Sequence, residues 1–100
     1  MYKCGEKKKI VYWGIGEIGR RCIDRYCNIA PELIIDSFAN ISEYHGVTVK
    51  KQIEIDNWKE LFVVITVENK DEIIRYLEEK GLTKGVDYIG YEVFFCLEVT

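Results

Sequence analysis

One proline, one histidine and no apolar run near the ~20 residues that span a bilayer set the first bounds on this chain. The four cysteines (Cys4, Cys22, Cys27 and Cys96) form no Cys-x-x-Cys pair, and none is near His45 in sequence. Neither a disulfide frame nor a metal site is expected from them; Cys22 and Cys27 read as small core residues. Residues 1–6 lack the apolar stretch of a signal peptide, so the expected compartment is the cytoplasm, where thiols stay reduced. Basic excess is missing too. A net charge of −3 argues against a DNA or RNA partner, which would call for a face rich in Lys and Arg. The one basic cluster, Lys7-Lys8-Lys9, reads as a solvated lead-in that keeps a strand edge soluble.

What is present is globular. Apolar residues make up 48 % of the chain, with no repeat, low-complexity tract or linker, so residues 1–100 read as a single domain. Residues 9–13 (Lys-Ile-Val-Tyr-Trp) form a buried strand stopped at Gly14. Ile18, Cys22, Tyr26 and Ile29 then recur at helical spacing, with Arg20, Arg21, Asp24, Arg25 and Asn28 on the other side, and Pro31 ends the helix. Leu33-Ile34-Ile35, continuing to Phe38-Ala39, predicts a second strand, parallel to the first because a helix connects them. Residues 41–60 read as a degenerate third unit. In it Val47-Thr48-Val49 and Ile53-Glu54-Ile55 alternate like short strands, and residues 57–60 fit one helical turn. Residues 61–67 are apolar without alternation, as in a central strand covered on both faces. Asn69 and Glu72 then form a capping pattern, Ile73, Ile74 and Leu77 the apolar stripe, and Gly81 the C′ glycine of a second helix. Residues 87–90 predict a last parallel strand and residues 93–97 an apolar extension.

Gly14-Ile15-Gly16-Glu17-Ile18-Gly19 matches G-x-G-x-x-G, with a strand before it and a helix after it. In that setting Gly14 allows the tight turn, Gly16 lets a pyrophosphate approach the backbone, and Gly19 lets helix and strand pack closely. The amides of the turn and the positive helix end supply an anion site. The same turn also serves α/β domains that bind nothing. Arg20 and Arg21 fit either a bound anion or the i,i+4 pairs Glu17–Arg21 and Arg20–Asp24. A ribose-binding acid is expected about 20 residues past the glycines. That spacing falls on Asn40, with Asp36 the nearest carboxylate, and either can face the ligand. The expected fold is a small Rossmann-like three-layer α/β/α domain with a mainly parallel sheet of four to five strands. A nucleotide would contact Gly14, Ile15, Gly16, Glu17, Ile18, Gly19, Asn40 and the loop that begins at Thr66.

The run 11–19, with Phe38-Ala39-Asn40, Val64-Ile65-Thr66 and residues 85–89, resembles small Rossmann-like domains associated with bacterial polysaccharide biosynthesis. Such domains accompany sugar acetyltransferases, nucleotide-sugar dehydratases and FkbM-like methyltransferases. Members commonly place Asp before Asn after the second strand, where this chain has Ala39-Asn40. The resemblance implies binding of NAD(P), another nucleotide or a nucleotide sugar, and no named reaction.

No catalytic constellation is complete. Tyr76-x-x-x-Lys80 spells the acid pair of short-chain dehydrogenases, but that pair needs a much longer chain, and Lys80 suits a helix end. His45 lies in a polar loop, and no Ser or Cys has a neighbouring base. Two readings follow. One is a ligand-binding module with its crevice across the ends of strands one and four. The other is a structural domain that forms a homo-oligomer or docks on a larger enzyme through residues 93–97. A fragment of an oxidoreductase stands beside these two.

Overall fold

The computed structural model describes residues 8–25 and 30–95. The β-branched and aromatic run forms β1 (Lys9–Trp13), which Gly14 ends with φ +127°, a backbone angle that side-chain-bearing residues rarely adopt. After α1 (Glu17–Arg25) come β2 (Leu33–Ile35), the two-residue β3 (Glu43–Tyr44) and β4 (Val47–Lys50). Two single 3₁₀ turns, Gln52–Glu54 and Trp58–Glu60, lead into β5 (Leu61–Ile65). The chain continues through α2 (Asp71–Glu79), β6 (Tyr88–Gly90) and the short α3 (Tyr91–Phe94). The strands form one sheet in the order β3-β4-β2-β1-β5-β6, with β3 antiparallel to β4 and every other pairing parallel. The sheet is mainly parallel as expected but has six strands rather than four to five, because the two-residue β3 adds an antiparallel edge.

Alternate residues of the same strands feed two separate cores. Tyr12, Ile34, Phe62 and Val64 join Cys22 and Ile23 of α1 and the pair Phe94 and Phe95. Val11, Trp13, Ile35, Val63 and Ile65 join Leu77 of α2, Leu82 and Trp58. With both sides of the strand buried there is no polar face to alternate with, and all five residues of β5 are buried. The indole N–H of Trp58 is buried and finds no acceptor among the described residues, while its ring stacks on Trp13 at 5.7 Å. Among the described residues no helix is long and apolar enough to cross a membrane.

The end of α2 follows its local signals. Gly81 takes φ +83°, its N–H reaches the Glu78 carbonyl, and Leu82 N–H reaches the Leu77 carbonyl, while Leu77 and Leu82 are both buried. At the start of α2, Lys70 occupies the cap position expected for Asn69, although the Asn69 carboxamide still accepts the Asp71 N–H at 3.3 Å.

Other expectations are corrected. Strand β2 stops at Ile35, and Phe38 is 93 % exposed rather than part of it, because the chain turns at Asp36. Ile53-Glu54-Ile55 is a 3₁₀ turn and its exit rather than a strand: Ile55 is buried and Ile53 solvated. Lys8 is no solvated lead-in, since its ammonium pairs with the buried Asp87 carboxylate. Arg20 bonds the Ile15 carbonyl at 3.0 Å and lies over the Tyr44 ring instead of pairing with Asp24, whereas the Glu17–Arg21 pair is present at 3.5 Å. The continuation of the first helix over Tyr26, Cys27, Asn28 and Ile29, together with Lys7, Cys4, Cys96 and Leu97, lies outside the described residues.

Burial pushes the Cys22 thiol up to about 11 against the nearby Arg21, which draws it down, while Glu92 adds to the rise. Since the thiolate is the reactive form, native protein at pH 8 is expected to leave Cys22 unlabelled by iodoacetamide, and urea to expose it. Mass-spectrometric mapping of the alkylated peptides checks this; rapid labelling of Cys22 in the native state would refute it.

Candidate functional site

The two neighbours of β1 set the place of the site. β2 lies on one side and β5 on the other, so the connections that leave their carboxyl ends diverge and a gap opens between them. That gap is a cleft of about 480 Å³. Trp13 and Gly14 line it from β1, Asp36, Ser37 and Phe38 from the turn after β2, and Val67 and Asn69 from the turn after β5. Gln52 and the first two turns of α2, through Glu72, Ile73 and Tyr76, complete the wall.

The three glycines do different work. A Cβ on Gly19 would stand 2.0 Å from the Gly14 carbonyl oxygen, so this glycine lets the first turn of α1 rest on the turn after β1. A Cβ on Gly14 would meet Val67 at 2.6 Å and the Thr66 backbone at 3.0 Å. A Cβ on Gly16 would meet nothing within 4 Å, so packing gives no reason for a glycine there. Thr66, expected to touch the ligand, is fully buried, and its hydroxyl donates to the Gly14 carbonyl at 2.8 Å. It braces the turn from beneath and does not face the cleft.

Asp36 follows directly on β2 and lines the cleft. One carboxylate oxygen accepts the Ile15 N–H and the other the Phe38 N–H, each at 2.9 Å. The Ile15 amide, expected to point at an anion, is therefore already bonded, and the Ile15 side chain is in the core. Gly16, Glu17 and Ile18 stand where helix amides have no intrahelical carbonyl to bond. Glu17 is exposed and Ile18 half-buried. Asn40 lies away from the cleft, on a shallow hollow shared with Ala39, Ile41 and Lys51. Of the two ribose candidates, Asp36 is the one that lines the cleft.

Electrostatically the cleft is acidic: Asp36 and Glu72 line it, and no Lys or Arg does among the described residues. Arg20 and Arg21 are on the exposed side of α1. His45 is in the turn between β3 and β4, 3.4 Å from Asp24, on residues that do not line the cleft. Tyr76 does line it, packed edge-on against Trp13 at 5.5 Å, while Lys80 ends the helix with its ammonium over the Tyr76 ring. Sequence reasoning missed Trp13, Phe38 and Tyr76 as wall residues. The signal for Tyr76 was its place three residues beyond Ile73, one turn along the same face of α2. Among the described residues no three His, Cys, Asp or Glu side chains gather as metal ligands. Comparison of the chain with protein-family models, with curated proteins and with solved structures gives no match.

Proposed function

We propose that the cleft receives a nucleotide of the NAD(P) or nucleotide-sugar kind, in a Rossmann-like module without a catalytic apparatus of its own. Gly16 carries this reading. Gly14 and Gly19 are required by contacts inside the fold, whereas Gly16, two residues beyond the lining Gly14 and not itself on the cleft wall, has open space over it, as an approaching phosphate would need. The strand order supports it. Counted over the parallel strands alone it runs 3-2-1-4-5, and the cleft falls at the switch point between the first and fourth. On this reading the two cores are the helical layers of a three-layer α/β/α arrangement, and Asp36 takes the ribose hydroxyls. Docking through the C-terminal segment has less to rest on, because Phe94 and Phe95 turn into the domain's own core.

A thermal-shift panel of NAD(H), NADP(H), UDP and UDP-sugars tests the reading. A ligand at a hundred times its Kd stabilises by about 2.7 kcal/mol, which raises Tm by roughly 10–20 °C in a domain of this size. Gly16→Asp is expected to abolish the shift while leaving the unliganded Tm within about 3 °C of the parent, since the added side chain enters open space. No shift with any of these compounds at millimolar concentration would end the proposal.

A further inference from the structure

Phe38 is 93 % exposed, yet its position is closely fixed. Its N–H is held by Asp36, the neighbouring Ser37 hydroxyl bonds the Gln52 side chain, and the Ser37 carbonyl accepts the Lys51 ammonium at 3.1 Å. The backbone is thus tied at two points and the Ser37 side chain at a third, while the ring, which forms part of the cleft wall, stays in water. Ordering the chain so as to hold a solvated phenyl group at a cleft gains nothing for folding. Two more aromatic rings, Trp13 and Tyr76, line the same cleft. Among the described residues the cleft wall offers carboxylates and no cationic side chain, so a flat uncharged group fits the chemistry of that wall better than a charged one.

We infer that Phe38 is a stacking platform for the heteroaromatic base of the bound nucleotide. The inference rests on the nucleotide reading and adds to it the residue that holds the base. Base–aromatic stacking draws on the π-face that every base has, so the platform tolerates purine and pyrimidine alike.

Isothermal titration of ADP, UDP and adenosine into the parent chain, Phe38→Ala and Phe38→Trp is the test. Phe38→Ala is expected to raise Kd roughly 5- to 150-fold for each, the range found when a stacking ring is removed, and Phe38→Trp to preserve binding. Because the ring is solvated, the Tm of unliganded Phe38→Ala should stay within about 2 °C of the parent, which separates a lost contact from a lost fold. Parent-like Kd values in Phe38→Ala overturn the inference while leaving the nucleotide reading intact. If the parent binds none of the three, the inference falls, and the nucleotide reading falls with it when the NAD(P) and UDP-sugar panel also gives no shift. A concentration-dependent dimer in sedimentation that Phe38→Ala abolishes, with Kd unchanged, would overturn it in favour of a protein contact.

Discussion

Gly19→Ala is expected to destabilise the domain by about 3 kcal/mol or more, and Gly16→Ala, three residues earlier in the same motif, by 0.5 kcal/mol at most, as an order-of-magnitude limit. The difference comes from what a methyl group would meet. At Gly19 it would lie 2.0 Å from the Gly14 carbonyl oxygen, a backbone atom that cannot rotate away, so α1 would have to lift off the turn. That turn is itself pinned, since Thr66 donates to the same oxygen and Gly14 N–H bonds the Ile35 carbonyl. Gly14→Ala should fall between the two: its φ of +127° costs about 1–3 kcal/mol for a side-chain-bearing residue, but the closest contact, Val67 Cγ1, has some freedom to move. Urea unfolding followed by circular dichroism ranks the three. Equal loss at Gly16 and Gly19 would mean that the open space over Gly16 does not exist in solution, and the case for a phosphate there would go with it. Against a total stability of about 5–15 kcal/mol, a loss of that size leaves the Gly19 variant folded but should lower its Tm by roughly 12–24 °C.

Breaking the Lys8–Asp87 pair should have the second large effect, at the end of the sheet opposite the cleft. Lys8 precedes β1 and Asp87 precedes β6, so the pair reaches across the amino end of β5. Burial alone would raise the Asp87 carboxyl, but the bond from Lys8, the Thr83 N–H at 2.8 Å and the charges of Lys8 and Lys59 outweigh it and hold the group below the usual carboxylate range. A carboxyl depressed in the folded state contributes stability that is present above its unfolded value of about 3.9 and is lost as pH falls through the folded value. Asp87→Asn is therefore expected to cost about 2–4 kcal/mol at pH 7 and to flatten the loss of stability below pH 4. Lys8→Met should cost a similar amount by leaving a buried carboxylate unpaired, and the double variant less than the sum of the two. Chemical unfolding of all four proteins between pH 3 and pH 7 measures the cycle. Strict additivity would show that the pair does not interact.

The parts of this architecture that are legible in the sequence are those decided by near neighbours. The end of α2 was readable because Gly81, Leu77 and Leu82 lie within six residues and a single motif satisfies all three. The turn after β1 was readable because strand, glycines and helix are contiguous. The apolar character of Phe38 suggests burial, but the strand ends where Asp36 bonds the Ile15 amide 21 residues away, and no local pattern marks that bond. The spacing to Ile55 imitated a strand because one buried residue beside one solvated residue satisfies a period of two as well as a 3₁₀ turn does. Lys8 reads as a surface charge because its partner is 79 residues distant, and no local pattern signals that pairing. Thr66 follows the same logic from the other side. Its place at the end of a strand suggested the ligand, whereas its full burial, set by the Gly14 turn 52 residues away, gave it to the scaffold.

The brevity of β3 bears on how the molecule behaves among its own copies. An edge strand offers a row of unsatisfied amides and carbonyls that a neighbouring chain can extend. Here that row is two residues long and carries the Glu43 carboxylate. An incoming chain would find too few bonds to repay its own ordering, so lateral growth of the sheet into a ribbon stops where β3 does.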